Sequence, residues 1–204
     1  VTTGGATDAL PRPSLLGAHQ IDNAAVAVAV AVTVARAVAG PLANTAAHRA
    51  QGLRTASWPA RMQRLTRGPL AETLPEGWTL WLDGGHNADA GRAVSAEVAS
   101  WRRDRPDEPV HLIVGMLNTK AADDYLRPFA GLLDSVSTVA IPGETASLSA
   151  EAVAAMASTA GVAAAAREGV AEALAGVIAE GGARGRVLIA GSLYLAGRVL
   201  AENG

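Results

Sequence analysis

From residue 78 onward, short apolar blocks alternate with longer amphipathic stretches. The blocks at 79–82, 111–116, 136–141, 162–166 and 186–190 predict strands, the fourth only weakly, and 111–116 is of the short continuous apolar kind that is buried on both faces. The stretches between them predict helices from Asn87 to 103 and over 121–133, 149–158, 170–180 and 192–201, with Pro128 interrupting the second. Five repeats of strand and helix predict a Rossmann-like α/β fold, a mostly parallel sheet with helices on both faces. In such sheets ligands sit beyond the carboxyl ends of the strands. Those ends fall at 83–87, 117–120, 142–144 and 191–192, where glycine and polar residues gather.

The first 70 residues follow another pattern. After a polar opening (1–14) broken by glycine and proline, the most apolar run, 24–39, predicts a helix stopped by Gly40-Pro41. Its Ala/Val alternation also fits a strand, but its length favours helix. With little polar face, such a helix must be buried against other elements. A second helix is expected over 43–51 before Gly52, then a turn at Ser57-Trp58-Pro59-Ala60-Arg61 and a strand over 62–67 before Gly68-Pro69.

Composition narrows the function classes. The chain has 204 residues and no cysteine, which excludes disulfides, thiolate metal sites and thiol catalysis. A net charge of -2 argues against a protein whose main task is binding nucleic acid. The 24–39 run is shorter than the roughly 20 apolar residues of a membrane span, and no basic-then-apolar leader opens the chain, so the expectation is a cytoplasmic protein without a membrane partner. Neither a Walker-type phosphate loop nor a G-x-G-x-x-G fingerprint is present.

Asp83-Gly84-Gly85-His86-Asn87 joins a strand end to a helix start. Two glycines allow close approach to a ligand, Asp83 offers a carboxylate, and His86 can donate, accept or carry charge. Asn87 is a natural helix cap, and a capped turn without a ligand accounts for it and both glycines. His19, Gln20 and Asn23 fall at i, i+1 and i+4, so His19 and Asn23 share a face and the two amides are neighbours able to meet a purine edge; capping is the alternative. Arg61, on a proline-marked turn, suits a phosphate or carboxylate, or is a solvated surface cation. Lys120, the only lysine, ends a strand, and Gly191-Ser192 starts a helix where an anion or a plain cap would fit.

In order, these motifs resemble the folylpolyglutamate synthase / dihydrofolate synthase family of the Mur ligase superfamily. The likeness runs through Leu16-Gly17-Ala18-His19-Gln20-Ile21-Asp22-Asn23, Trp58-Pro59-Ala60-Arg61-Met62-Gln63, Leu82-Asp83-Gly84-Gly85-His86-Asn87, Gly115-Met116-Leu117-Asn118-Thr119-Lys120 and Gly191-Ser192-Leu193-Tyr194-Leu195. The resemblance implies a C-terminal portion: 1–56 as the tail of the central ATPase domain and 57–204 as the Mur ligase C-terminal domain. It implies an ATP-dependent ligase that joins L-glutamate to dihydropteroate or to a folate glutamyl tail through an acyl phosphate. ATP and Mg2+ are the implied cofactors, with the phosphate loop and magnesium ligands in a preceding ATPase domain.

By the same resemblance, Gln20, Asn23, Arg61 and Asp83 belong to the nucleotide, and His86 and Ser192 to the incoming glutamate. His19, Asn87 and Lys120 are further candidates, with no metal ligand in this chain. The sequence departs from the family at Ala60 for the usual glycine, Gly85 for alanine, Ala88 for proline and Ala121 for the Asp after Lys120. The alternatives are a cell-wall Mur-type amino-acid ligase fragment and a non-catalytic Rossmann-like binding module.

Overall fold

The structure, a computed structural model, describes residues 2, 3, 6, 7, 9–38, 44–118 and 122–203. The chain divides into two compact units, Val1–Pro59 and Ala60–Gly204.

In the first unit, strands β1 (Thr2–Thr3) and β2 (Ala6–Thr7) pair antiparallel, an element that the small polar residues of the opening did not suggest. Helix α1 spans His19–Ala37, ending at its cap Val38. The second helix, α2, spans Ala46–Thr55 and runs through Gly52, because a glycine on an exposed helix face costs only about 1 kcal/mol. Its cap is Thr45, whose hydroxyl accepts from the His48 N–H. Ser14 ties the preceding loop to α2 by donating its N–H to Leu53 O at 2.9 Å.

Helix α1 is long and apolar enough, by length and composition, to cross a membrane, because it takes in His19–Asn23 as well as the apolar run. Gln20, Val28 and Val32 are its buried residues, whereas Val26 and Val30 are more than half exposed. A groove of about 470 Å3 between α1 and α2 is lined mainly by Ala27, Val28, Ala31, Val34, Ala35 and Leu53. Helix α1 is thus only partly buried, and its apolar Val26 and Val30 stay exposed.

The second unit is the α/β domain. Its elements are β3 (Gln63–Leu65), α3 (Pro69–Glu72), β4 (Trp78–Leu82), α4 (Ala88–Asp104), β5 (Val110–Val114) and α5 (Ala122–Leu126). There follow β6 (Ser135–Thr138), α6 (Ala150–Thr159), β7 (Ala165–Ala166), α7 (Val170–Glu180), β8 (Gly185–Ala190) and α8 (Leu193–Asn203). The sheet order is β3-β4-β8-β5-β6-β7, with β3 antiparallel to β4 and every other pairing parallel. All five residues of β5 are buried, as expected of a central strand covered on both faces.

Two cores flank the sheet. On one face Val94, Val98, Tyr125, Phe129 and Val153 pack against Leu112, Val114 and Leu188. On the other, Leu174, Val177, Leu195 and Val199 pack against Leu80, Leu82, Ile113 and Ile189. Several predicted elements shorten for local reasons. Pro128 lacks an N–H and its ring crowds the preceding turn, so the 121–133 helix becomes α5 followed by a 3-10 turn, Arg127–Phe129. The expected strand 62–67 begins at Gln63 because Met62 has φ +44°.

Two polar features anchor the ends of this domain. Asn203, in the last turn of α8, donates Nδ2–H to Arg67 O at 2.6 Å and accepts the Leu70 N–H at 2.9 Å. Gly68 is required where it stands: its φ is +88°, and a Cβ would lie 1.7 Å from Asn203 O. At the amino edge of the sheet, His111 is buried, stacks on Trp78 with centroids 5.7 Å apart, and has Nδ1 2.8 Å from Ser135 Oγ. Burial lowers the His111 pKa; Arg102 acts the same way, and Asp134 and Glu180 oppose it.

Asn203→Ala is expected to cost about 1–3 kcal/mol in urea unfolding, because the Leu70 N–H and Arg67 carbonyl both lose their partner; an unchanged midpoint would contradict this. His111 sets a pH dependence whose sign is fixed. Between its lowered folded pKa and the ordinary 6.5, the unfolded chain binds a proton that the folded chain does not. Its stabilising effect is thus complete above pH 6.5 and is lost as the pH falls, by less than about 1.4 kcal/mol per unit. Denaturation at pH 7.5 and 5.5 should show a smaller acid loss for His111→Phe than for the parent chain, and equal losses would refute the assignment.

Candidate functional site

The carboxyl ends of β4 and β8 lie side by side, and the chain leaves both strands through glycine. Asp83 extends the pairing by donating its N–H to Ile189 O at 2.9 Å. Its side chain turns inward and is buried. Oδ2 accepts the Met62 N–H at 2.9 Å and Oδ1 accepts the Gly85 N–H at 2.7 Å. One carboxylate thus holds two segments: the turn that follows β4 and the loop that precedes β3. Gly84 adds a third tie, donating its N–H to Ala60 O at 2.9 Å.

That loop is strained. Ala60 and Met62 have φ of +54° and +44°, the left-handed region, which costs a residue with a Cβ roughly 1–2 kcal/mol. Both side chains are buried, and Ala60 N–H is satisfied by Gln63 Oε1 at 2.9 Å. Between the two, Arg61 is half-buried, with Nη1 3.3 Å from Ala60 O.

Gly84 is where the site converges. A Cβ there would lie 2.4 Å from Leu193 Cδ2 and 3.4 Å from Arg61 Nη1, so any larger residue would push both away. The exposed His86 has Nδ1 3.2 Å from Gly84 O. Asn87 caps α4 by accepting the Ala90 N–H at 2.9 Å. On the β8 side, Gly191 has φ +106° and no room for a Cβ, which would meet Val114 Cγ2 at 2.7 Å and Gly115 O at 2.8 Å. Ser192 is buried, its Oγ accepting the Tyr194 N–H at 3.0 Å, while Leu193 and Tyr194 stand exposed beside it.

The structure therefore brings Arg61, Asp83, His86 and Asn87 together with the Ser192 helix start at one edge of the sheet. A guanidinium, an imidazole and a helix N-terminus there offer donors to anionic and carboxylate groups. Asp83 differs from the other three, since its carboxylate is enclosed and spends both oxygens on backbone N–H groups. Lys120 lies outside the described residues. Among the described residues, no group of three or more His, Asp or Glu forms a metal centre.

His19, Gln20 and Asn23 belong to the first unit. Gln20 is buried, with Nε2 3.0 Å from His19 Nε2, and its Oε1 accepts from Asn23 Nδ2 at 3.2 Å. The two amides meet each other as the i, i+3 spacing predicts. Neither caps the helix: the N-cap is Ala18, with no side-chain bond.

The sequence pattern missed three residues here. Ala60 and Met62 carry no polar signal; the family's usual glycine at position 60 is the one hint of a left-handed backbone there, and Met62 has none. Tyr125, on α5, is fully buried behind the turn, its ring 3.7 Å from where a Cβ on Gly85 would lie. No spacing rule singles it out.

Residues 70–202 match the family described as "Dihydrofolate synthetase, C-terminal domain". A folylpolyglutamate synthase from Thermotoga maritima is 26% identical with a TM-score of 0.62; the match covers 93% of this chain and 39% of that one. Mycobacterium tuberculosis folylpolyglutamate synthase, solved with ADP, has a TM-score of 0.73 at 20% identity, over 93% and 41% of the two chains. The bifunctional folylpolyglutamate synthase/dihydrofolate synthase of Yersinia pestis, solved with AMPPNP and a Mn ion, is 24% identical with a TM-score of 0.66, over 96% and 41%. The chain spans about 40% of the length of these solved relatives. Among curated proteins nothing matches.

The left-handed backbone makes a distinctive prediction. Ala60→Gly relieves strain at φ +54° while losing one buried methyl, so its effect should run from neutral to about 1 kcal/mol stabilising. Ala173→Gly, at a buried position inside α7, should cost about 1 kcal/mol or more. Urea unfolding of both variants reads the contrast, and equal losses at the two positions would contradict it.

Proposed function

Because the chain belongs to the dihydrofolate synthetase C-terminal domain family, we propose that it is the C-terminal part of an ATP-dependent ligase. This ligase adds L-glutamate to dihydropteroate, to the glutamyl tail of folates, or to both. One observation supports this most strongly. Arg61, His86 and the Leu193 beside Ser192 all converge on Gly84, at the strand ends where an open α/β sheet receives ligands.

In this reading a carboxylate of the acceptor attacks the γ-phosphorus of ATP and ADP leaves. The resulting acyl phosphate is attacked at carbon by the glutamate amine, which loses a proton, and phosphate departs. A carboxylate is a poor electrophile, so the phosphoryl group supplies the leaving group. The protein's task is then positioning and charge neutralisation. Arg61 neutralises phosphate charge, and Asp83 serves the nucleotide side by holding the Arg61 loop. Gln20 and Asn23 meet the adenine edge. His86 and the Ser192 helix start receive the carboxylates of the incoming glutamate, with His19 and Asn87 as flanking polar groups.

ATP arrives with Mg2+, and the described residues offer that ion no carboxylate cluster. In this reading the family resemblance assigns its ligands and the phosphate loop to an ATPase domain. That domain is also the partner we assign to the exposed Val26 and Val30 face of α1. Residues 1–56 would be its tail and 57–204 the C-terminal domain, in a cytoplasmic enzyme. Lys120 is a further candidate for the substrate side.

The chain alone should show no ligase activity and no micromolar affinity for ATP with magnesium in calorimetry. Joined to an ATPase domain from the same gene, it should form an amide between glutamate and dihydropteroate or a folate. In that longer protein, Arg61→Ala should lower kcat/KM for ATP by about 10²-fold or more, the loss of a charged contact in the transition state. His86→Ala should act mainly on KM for glutamate. Ligation by the 204-residue chain alone, or an Arg61→Ala enzyme with unaltered ATP kinetics, would overturn the proposal.

A further inference from the structure

Gln63 closes the motif that carries Arg61, yet the ligase reading gives it no task. It is the first residue of β3, and its Cα pairs with Leu82 of β4, which is fully buried. From this anchored position its side chain reaches back three residues, and Oε1 accepts the Ala60 N–H at 2.9 Å. A capping box uses the same reach, a side chain three places on satisfying a backbone N–H. Ala60 is buried, so water is a poor substitute for that acceptor. Its carbonyl is occupied as well, accepting the Gly84 N–H at 2.9 Å and standing 3.3 Å from Arg61 Nη1. The same Nη1 lies 3.4 Å from where a Cβ on Gly84 would sit, so the guanidinium rests on the Ala60 carbonyl at the point where the site converges.

We propose that Gln63 is a positioning residue: by holding Ala60 in the left-handed region, it fixes the carbonyl on which the Arg61 guanidinium rests beside Gly84. Asp83 secures the residue after Arg61, and Gln63 secures the residue before it. The strain at Ala60 makes this hold necessary. A residue with a Cβ at φ +54° relaxes toward negative φ once its partners are lost, and its carbonyl then turns away from Arg61. The acceptor oxygen is what matters, not the length of the side chain. Glutamate has the same reach and two acceptor oxygens, whereas methionine has the reach and only a weakly accepting sulfur. What Arg61 is held for rests on the ligase reading; that Gln63 holds it does not.

The test is NMR of the ligand-free 204-residue chain with Gln63→Met and with Gln63→Glu, reading amide hydrogen exchange and the relaxation of the Arg61 side-chain Nε–H. Gln63→Met should exchange about tenfold faster at the Ala60 and Gly84 amides, with Leu112 and Ile189 unchanged, as expected for local opening. Arg61 Nε–H should become more mobile in the same variant. Gln63→Glu should keep both the protection and the Arg61 order of the parent chain. Faster exchange at Ala60 with Arg61 as ordered as before would make Gln63 a backbone cap only and would overturn the proposal. So would unaltered exchange at Ala60 in Gln63→Met, or a Gln63→Glu chain as loose as Gln63→Met. Equal acceleration at Leu112 would show general loosening of the core and would overturn it too. No ligand enters the experiment, so its failure is distinct from a failure of the ligase reading, which the ATP kinetics of Arg61→Ala decide.

Discussion

The architecture of this edge depends on one buried carboxylate. Asp83 accepts an N–H from Met62 with one oxygen and from Gly85 with the other, reinforcing the β3–β4 pairing and the Gly84 to Ala60 backbone bond that already join these segments. Hydrogen bonds to a charged group contribute about 1.5–3 kcal/mol each, which offsets two left-handed residues at roughly 1–2 kcal/mol each. The strain at Ala60 and Met62 is thus held in place by the charge at Asp83. Without that charge the loop keeps only the Gly84 to Ala60 backbone bond and the Gln63 amide to hold Arg61 against Gly84.

The sheet supplies the rest of the geometry. Inserting β8 between β4 and β5 puts the Gly191-Ser192 exit next to the Asp83-Gly84 exit. Tight approach at Gly84 and Gly191 then lets Leu193 and the Arg61 guanidinium lie against backbone. Cationic, imidazole and helix-terminal donors gather at this edge, whereas the carboxylate that organises them is buried. Such an arrangement binds anions in a set geometry and leaves the organising charge shielded from solvent, where it is least screened.

Much of this was legible in the sequence. Apolar blocks mark the parallel strands, and the Asp-Gly-Gly-His-Asn run marks a strand-to-helix turn. The i, i+3 amides of Gln20 and Asn23 were readable because helical spacing is fixed by geometry. The insertion of β8 was not, since periodicity reports which residues face a core but not which strands are neighbours. Nor was the inward turn of Asp83: a carboxylate at a strand end reads as a ligand contact, and only the packed structure shows it enclosed. Met62 hides a left-handed backbone behind an apolar side chain, and Tyr125 is indistinguishable in sequence from any core aromatic. Pro128 carried a clear local signal, and the shortened α5 follows from it.

The central claim is that the Arg61 loop, the Gly84–Asn87 turn and the Ser192 helix start form one site. The most direct measurement is an amide NMR titration of the 204-residue chain with ADP and with L-glutamate at millimolar concentration. The account predicts that ADP shifts signals at 61–63 and 84–85, and that glutamate shifts those at 86–87 and 192–194. Shifts concentrated at the amino edge of the sheet, around Trp78 and His111, or none along the carboxyl edge with either compound, would contradict it.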